Sequence, residues 1–177
     1  MITDVTKNTR IMKTKYLFVL GCMFFILFKN EVVAQASKIM EKTVNGETYI
    51  INHRLVKNKK NKLPDGKQCY DFSIEDDSPL DSVFGAVLSK TKMHELVKSK
   101  ASIMLDIVCI PSGKIETVSF ILSKNNPVSL VEIQLLEERL KKTTLKIKSG
   151  EACQNNSYFA IMKMCRFERY AQTPQVK

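Results

Sequence analysis

The chain has 177 residues, with 28 Lys/Arg against 18 Asp/Glu and a formal net charge of +10. That length suits one ordinary domain, and the ordinary apolar content excludes a disordered or fibrous chain. No internal repeat, low-complexity tract, H-E-x-x-H, G-x-S-x-G or Gly-rich phosphate loop occurs, so the sequence carries no cofactor or metal motif of those kinds.

Lys7, Arg10, Lys13 and Lys15 precede an apolar run of 13 residues, Tyr16 to Phe28, and then Ala34-Gln35-Ala36. A basic segment, a short apolar core and a small-x-small site are the parts of a secretory signal. The expected product starts at Ser37 and is exported, either periplasmic or secreted. Met12-Lys13-Thr14-Lys15 is the more usual opening for such a signal, which makes Met12 an alternative start. An uncleaved anchor is disfavoured because 13 residues are too few to cross about 30 Å of hydrocarbon as a helix. Val19-Leu20-Gly21-Cys22 loosely matches a lipidation site, but the apolar run continues six residues past Cys22, where a lipidated cysteine should end it. The first 36 residues hold five Lys/Arg and two Asp/Glu, so the rest keeps 23 basic and 16 acidic side chains, net +7. Such a surface attracts anions nonspecifically.

Residues 37–77 read as an N-terminal strand and loop extension. Val44 to Val56 is strand material, with Asn45-Gly46 as a tight turn. The run Lys57-Asn58-Lys59-Lys60-Asn61-Lys62, ending in Pro64-Asp65-Gly66, reads as an exposed loop. No aromatic residue interleaves it, so nucleic acid has no stacking platform and is not expected as a partner. Asp71 to Asp77 lacks the ligand spacing of a calcium loop and reads as a connection.

Residues 78–170 read as an α+β domain: a small antiparallel sheet, made of a hairpin and a closing strand, packed with two helices. Ser78-Pro79-Leu80-Asp81 is a helix start, and Leu80, Val83, Phe84, Val87 and Leu88 follow helical spacing. The helix ends near Lys90 or resumes through Met93-His94-Glu95-Leu96-Val97. In Ser102 to Leu122 two alternating runs flank Pro111-Ser112-Gly113, the signature of a β-hairpin. Ile103, Leu105, Ile107 and Cys109 face one way, as do Val118, Phe120 and Leu122. Asp106 falls on the opposite, exposed face. Ser129 with Glu132 makes a capping box for a helix to about Lys142, with Leu130, Ile133, Leu136 and Leu140 on one side and Glu137 among the polar residues of the others. Leu145 and Ile147 make a short extended piece. Tyr158 to Phe167 closes as a strand with apolar residues on both faces. Such a strand needs cover on two sides. The N-terminal segment around Tyr49 to Val56, a second copy or a partner strand could supply it. Residues 171–177 read as a tail.

Four cysteines follow the signal: Cys69, Cys109, Cys153 and Cys165. An even number in an exported chain points to disulfides, with three possible pairings. Cys109 and Cys165 also suit buried free thiols.

The order helix, hairpin, capped helix, extended piece and strand over Ser78 to Phe167 resembles the TonB C-terminal domain family. The landmarks are Pro111-Ser112-Gly113-Lys114 at the hairpin turn, the Ser123 to Ser129 link, Gly150 before the last strand and Phe167 near its end. The signal resembles those of small exported proteins of Bacteroidota type. A TonB transducer keeps an uncleaved anchor and a Pro-rich spacer; this chain has scattered prolines and a cleavable-looking signal, so the resemblance implies the fold without the transducer role.

The functional expectation is a noncatalytic exported module that binds an envelope protein, or a second copy of itself, by strand addition. Tyr158, Phe159, Ile161, Lys163 and Phe167 are the candidate contact residues. Membrane contact is expected only through an uncleaved signal or the basic surface. The alternative is a small secreted hydrolase using His53 or His94 with Cys69 or Cys109, for which no local signature exists.

Overall fold

The structure is a computed structural model and describes residues 39–153 and 157–168. The expected signal, Cys22 and the 171–177 tail lie outside the described residues. In chain order, β1 (Met40–Val44), β2 (Glu47–Asn52), β3 (Leu55–Asn58), β4 (Lys67–Gln68) and β5 (Phe72–Asp76) precede α1 (Ser78–Val87) and α2 (Lys90–Lys98). There follow β6 (Ser102–Cys109), β7 (Ile115–Leu122), α3 (Leu130–Lys141), β8 (Lys146–Ser149) and β9 (Ser157–Arg166). The fold is α+β, as expected.

The hairpin β6–β7 is the centre of a seven-stranded sheet in the order β1-β2-β3-β7-β6-β9-β4. All pairings are antiparallel except the two-residue match of β4 with β9. Ile103, Leu105, Ile107 and Cys109 face inward and are fully buried, with Val118 and Phe120 beside them. Gly113 sits at the hairpin turn with φ +80, and its carbonyl accepts the Leu145 N–H at 2.9 Å. A Cβ there would overlap the Leu145 carbonyl, so both the turn and the close approach require glycine.

Three helices, not two, close the inward face. The first amphipathic run breaks at Leu88–Ser89, and Ser89 caps α2 by accepting the Lys92 N–H at 3.1 Å. Pro79 stands in the first turn of α1; the carboxylate of Asp76 accepts the Ser78 N–H at 3.0 Å, and the N-cap position falls on Asp77, whose side chain makes no cap, where Ser78 was expected to cap. The Ser129–Glu132 capping box starts α3 as expected. α1 packs on α3, and α3 on β7 and β1. Leu80, Phe84, Leu96, Ile133, Leu136 and Leu140 join the inward side chains of the sheet in one core.

Residues 39–77 supply strands to both sheets. β1 and β2 close around Asn45-Gly46, both at positive φ, as a two-residue hairpin turn demands. β3 then pairs with β7, so the first three strands extend the main sheet. The acidic stretch expected as a connection is β5, paired with β8 through Ile74–Ile147 in a second, two-stranded sheet. Its inward residues, Phe72 and Ile74, pack on the core, and the Phe72 ring lies 4.7 Å from that of Phe159. The basic run is not wholly exposed either. Asn58 is buried, and Lys59 and Lys60 pair with Glu41 and Glu47 across the hairpin, both at 2.9 Å.

Glu137, expected on a polar helix face, is only 2% exposed. Its Oε2 accepts from the Tyr49 hydroxyl at 2.7 Å and from Asn58 Nδ2 at 3.3 Å. The Lys141 ammonium lies 2.7 Å from Oε1, an ion-pair contact off the hydrogen-bond direction. Lys141 also donates to Asn61 Oδ1 at 2.7 Å. Burial, then the hydrogen bond to the Glu137 carboxylate, pushes the Tyr49 hydroxyl well above the usual tyrosine range. This network ties α3 to β2 and β3. It can hold a buried carboxylate because every strong acceptor in it faces a donor or a cation.

Candidate functional site

β9 carries the expected contact residues, and its alternation decides which of them are accessible. Phe159, Ile161, Cys165 and Phe167 point inward and are buried. Phe84 meets Phe167 edge-on at 5.4 Å, beside the Phe72–Phe159 pair. Tyr158 is half-buried. Phe159, Ile161 and Phe167 therefore cannot be contact side chains, which corrects the expectation. The apolar residues on the other side are Ala160, Met162 and Met164, with Met162 67% and Met164 45% exposed. They continue across the sheet, since Met164, Met104, Ile121 and Leu55 stand opposite one another in register on β9, β6, β7 and β3. Asp106 sits on this face between Met162 and Ser119, half-buried where full exposure was expected.

The Tyr49 to Val56 segment does not cover β9. It lies in β2 and β3, and β7 and β6 separate it from β9. One edge of β9 pairs along its length with β6. The other meets β4 only at Ser157 and Tyr158, so from Phe159 to Arg166 that edge pairs with no strand among the described residues. A groove of about 470 Å³ runs along it, walled by Ile74, Asp77 and Asp81 on one side and by Ile161 to Arg166 on the other.

Lys163 governs this groove. Its ammonium donates to Asp77 at 2.7 Å and lies 3.3 Å from Asp81. Burial works against its charge, but the hydrogen bonds and charges of Asp77 and Asp81 outweigh that and raise its pKa. A lysine turned toward the inward layer of an edge strand discourages indiscriminate pairing without closing the edge.

The cysteines divide cleanly. Cys69 and Cys153 form a disulfide with Cα atoms 5.6 Å apart, next to the β4–β9 match. Cys109 and Cys165 are buried free thiols on β6 and β9. Burial pushes the Cys109 thiol up to about 11 and, with the charge of Asp81, that of Cys165 up to about 12. Neither is a poised nucleophile, because the thiolate is the reactive form. His94 is exposed on α2, and His53 is exposed in the β2–β3 turn with φ +56. Neither histidine hydrogen-bonds a cysteine among the described residues, and Cys69 is committed to its bridge.

A second concavity lies at the far end of the sheet, where the β2–β3 turn approaches the loop between β7 and α3. It encloses about 600 Å³. Ile51, Val56, Leu122, Val128 and Ile133 form its floor, and Lys42, His53, Arg54 and Lys124 stand at its rim. Sequence reasoning considered His53 only as a catalytic partner and missed the site. The available signal was the placing of basic residues at two turns.

No family model matches the chain, and no curated protein matches it. Its structure is similar to the crystal structure of a DUF5043 family protein from Bacteroides uniformis ATCC 8492. The TM-score is 0.54 at 22% sequence identity, covering 80% of this chain and 88% of that one. At that identity the likeness is one of fold.

Proposed function

We propose that the chain is a noncatalytic, exported module of the cell envelope that accepts an extended segment of another protein as an added strand on β9. The observation that carries this reading is the unpaired edge from Phe159 to Arg166 beside an open groove. Main-chain groups at such an edge supply affinity, and flanking side chains supply selectivity. The partner segment is one that alternates, placing apolar side chains against Met162 and Met164. The similarity in element order to TonB C-terminal domains fits the same mode. Export is supported by the signal-like residues before Ser37 and by the Cys69–Cys153 bridge, since disulfides persist in oxidising compartments. N-terminal sequencing of the exported protein is expected to begin at Ser37; a chain retaining Tyr16 to Phe28 would sink the cleavage reading.

A proline separates edge from fold. The Tyr158 carbonyl accepts the Cys69 N–H at 2.9 Å, so the polar backbone groups of Tyr158 point away from β6. By the two-residue period of a strand, those of Ala160, Met162 and Met164 do as well. Met162→Pro thus removes an outward donor and leaves the β6 ladder intact, a placement that edge strands accept. Peptides selected on the full chain from a displayed library are expected to slow amide exchange at Met162 and Met164. They are expected to bind Met162→Pro at least about tenfold more weakly, with the melting temperature little changed. Binders indifferent to this substitution would refute strand addition at β9.

A further inference from the structure

We infer that the groove between the β2–β3 turn and the β7–α3 loop binds a soluble amphiphilic carboxylate of the fatty-acid type. The site is independent of β9, which lies beyond β7 and β6 in the sheet. Its volume of about 600 Å³ falls within the ~300–1,000 Å³ of small-molecule sites.

The lining divides as an amphiphile does. Ile51, Val56, Leu122, Val128 and Ile133 offer an apolar floor, and the rim offers the cations of Lys42, Arg54 and Lys124 with the imidazole of His53. No Asp or Glu lines the groove. Six lysines elsewhere, Lys59, Lys60, Lys92, Lys114, Lys141 and Lys163, each stand within ion-pair distance of a carboxylate. Lys42, Arg54 and Lys124 form no ion pair among the described residues. A planar guanidinium and two ammonium groups gathered over an apolar floor favour an anionic head with an apolar chain. An uncharged apolar ligand would shield those cations from water without answering them.

The walls are held in place before any ligand arrives. The Arg54 carbonyl accepts the Leu122 N–H at 2.9 Å, which locks the β2–β3 turn to the end of β7. In the opposite wall Asn126 Nδ2 donates to the Ser102 carbonyl at 3.0 Å, and Asn126 Oδ1 accepts the Val128 N–H at 3.1 Å. Ser123 Oγ accepts the Ser102 N–H at 3.0 Å. A preorganised groove loses less freedom on binding. A bilayer surface is the poorer match, because docking on anionic lipid draws on clusters of about 4–8 Lys/Arg and this rim has three.

The test uses the full chain and dodecanoate below its micelle concentration, read by calorimetry and by the methyl resonances of Ile51, Leu122 and Ile133. The expected result is saturable one-to-one binding that shifts those methyls. The double variant Arg54→Glu with Lys124→Glu alters exposed rim side chains without hydrogen-bond or ion-pair partners among the described residues. It should keep its melting temperature and weaken binding at least about tenfold. Dodecylammonium, of the same chain length and opposite charge, is expected to bind at least about tenfold more weakly than dodecanoate. The inference is overturned if the two amphiphiles bind alike, if the double variant binds as wild type does, or if the shifts fall elsewhere. It is also overturned if the chain associates with phosphatidylglycerol vesicles while dodecanoate leaves the groove methyls unmoved.

Discussion

Replacing inward-facing Ile107 by Asp is expected to unfold the domain or to cost it about 5 kcal/mol or more, against a typical stability of about 5–15 kcal/mol. Ile107 is fully buried on β6, between β7 and β9. Its cross-strand neighbours are Val118 on β7 and Ile161 on β9, both buried and apolar. A carboxylate there loses its water and meets no donor, and the isoleucine's packing is lost as well. Lys163, the nearest inward cation on β9, stands opposite Leu105 and is already engaged by Asp77 and Asp81. The control is Lys62→Asp, in the exposed loop after β3, where a change within about 0.5 kcal/mol is expected. Urea unfolding followed by circular dichroism measures both. A midpoint for Ile107→Asp close to wild type would mean that the inward face of the hairpin is not sealed by the helices.

Removing the Cys69–Cys153 bridge is expected to cost up to about 4.5 kcal/mol, the chain-entropy scale for a crosslink spanning 84 residues. The bridge closes a loop that holds β5, the three helices, the central hairpin and β8. It also fastens β4, whose pairing with β9 is two residues long and could not hold alone. Cys69→Ala with Cys153→Ala is therefore expected to lower the urea midpoint and to speed amide exchange of Cys69→Ala, whose N–H bonds to Tyr158. The core from Ile103 to Cys109 should keep its protection relative to the rest of the domain. Equal midpoints for the double variant and the oxidised wild type would show that the crosslink constrains nothing the fold does not already hold.

Much of the architecture was legible because short-range physics sets it. The hairpin could be read from strict alternation on both sides of Pro111-Ser112-Gly113, and α3 from Ser129 with Glu132. Local pattern was a poorer guide where a segment is polar for reasons that only a neighbour explains. β1, Met-Glu-Lys-Thr-Val, is an edge strand with little to bury. β5 carries Glu75 and Asp76 on a piece that buries only Phe72 and Ile74 against the core. Glu137 looked solvated because its three answering side chains, Tyr49, Asn58 and Lys141, include two that lie far away in the chain.

The sequence by itself determined the α+β class, the inward face of the hairpin strands, the capping box of α3 and the tight turns, since each depends on residues within a few positions of one another. Only the tertiary structure decided that β3 joins β7, that Cys69 takes Cys153 and that one edge of β9 meets no further strand among the described residues. It alone brought the basic residues of two distant turns over a shared apolar floor. Those outcomes depend on which surfaces meet after the chain has closed long loops, and the side chains involved carry no local mark of the partner they will find.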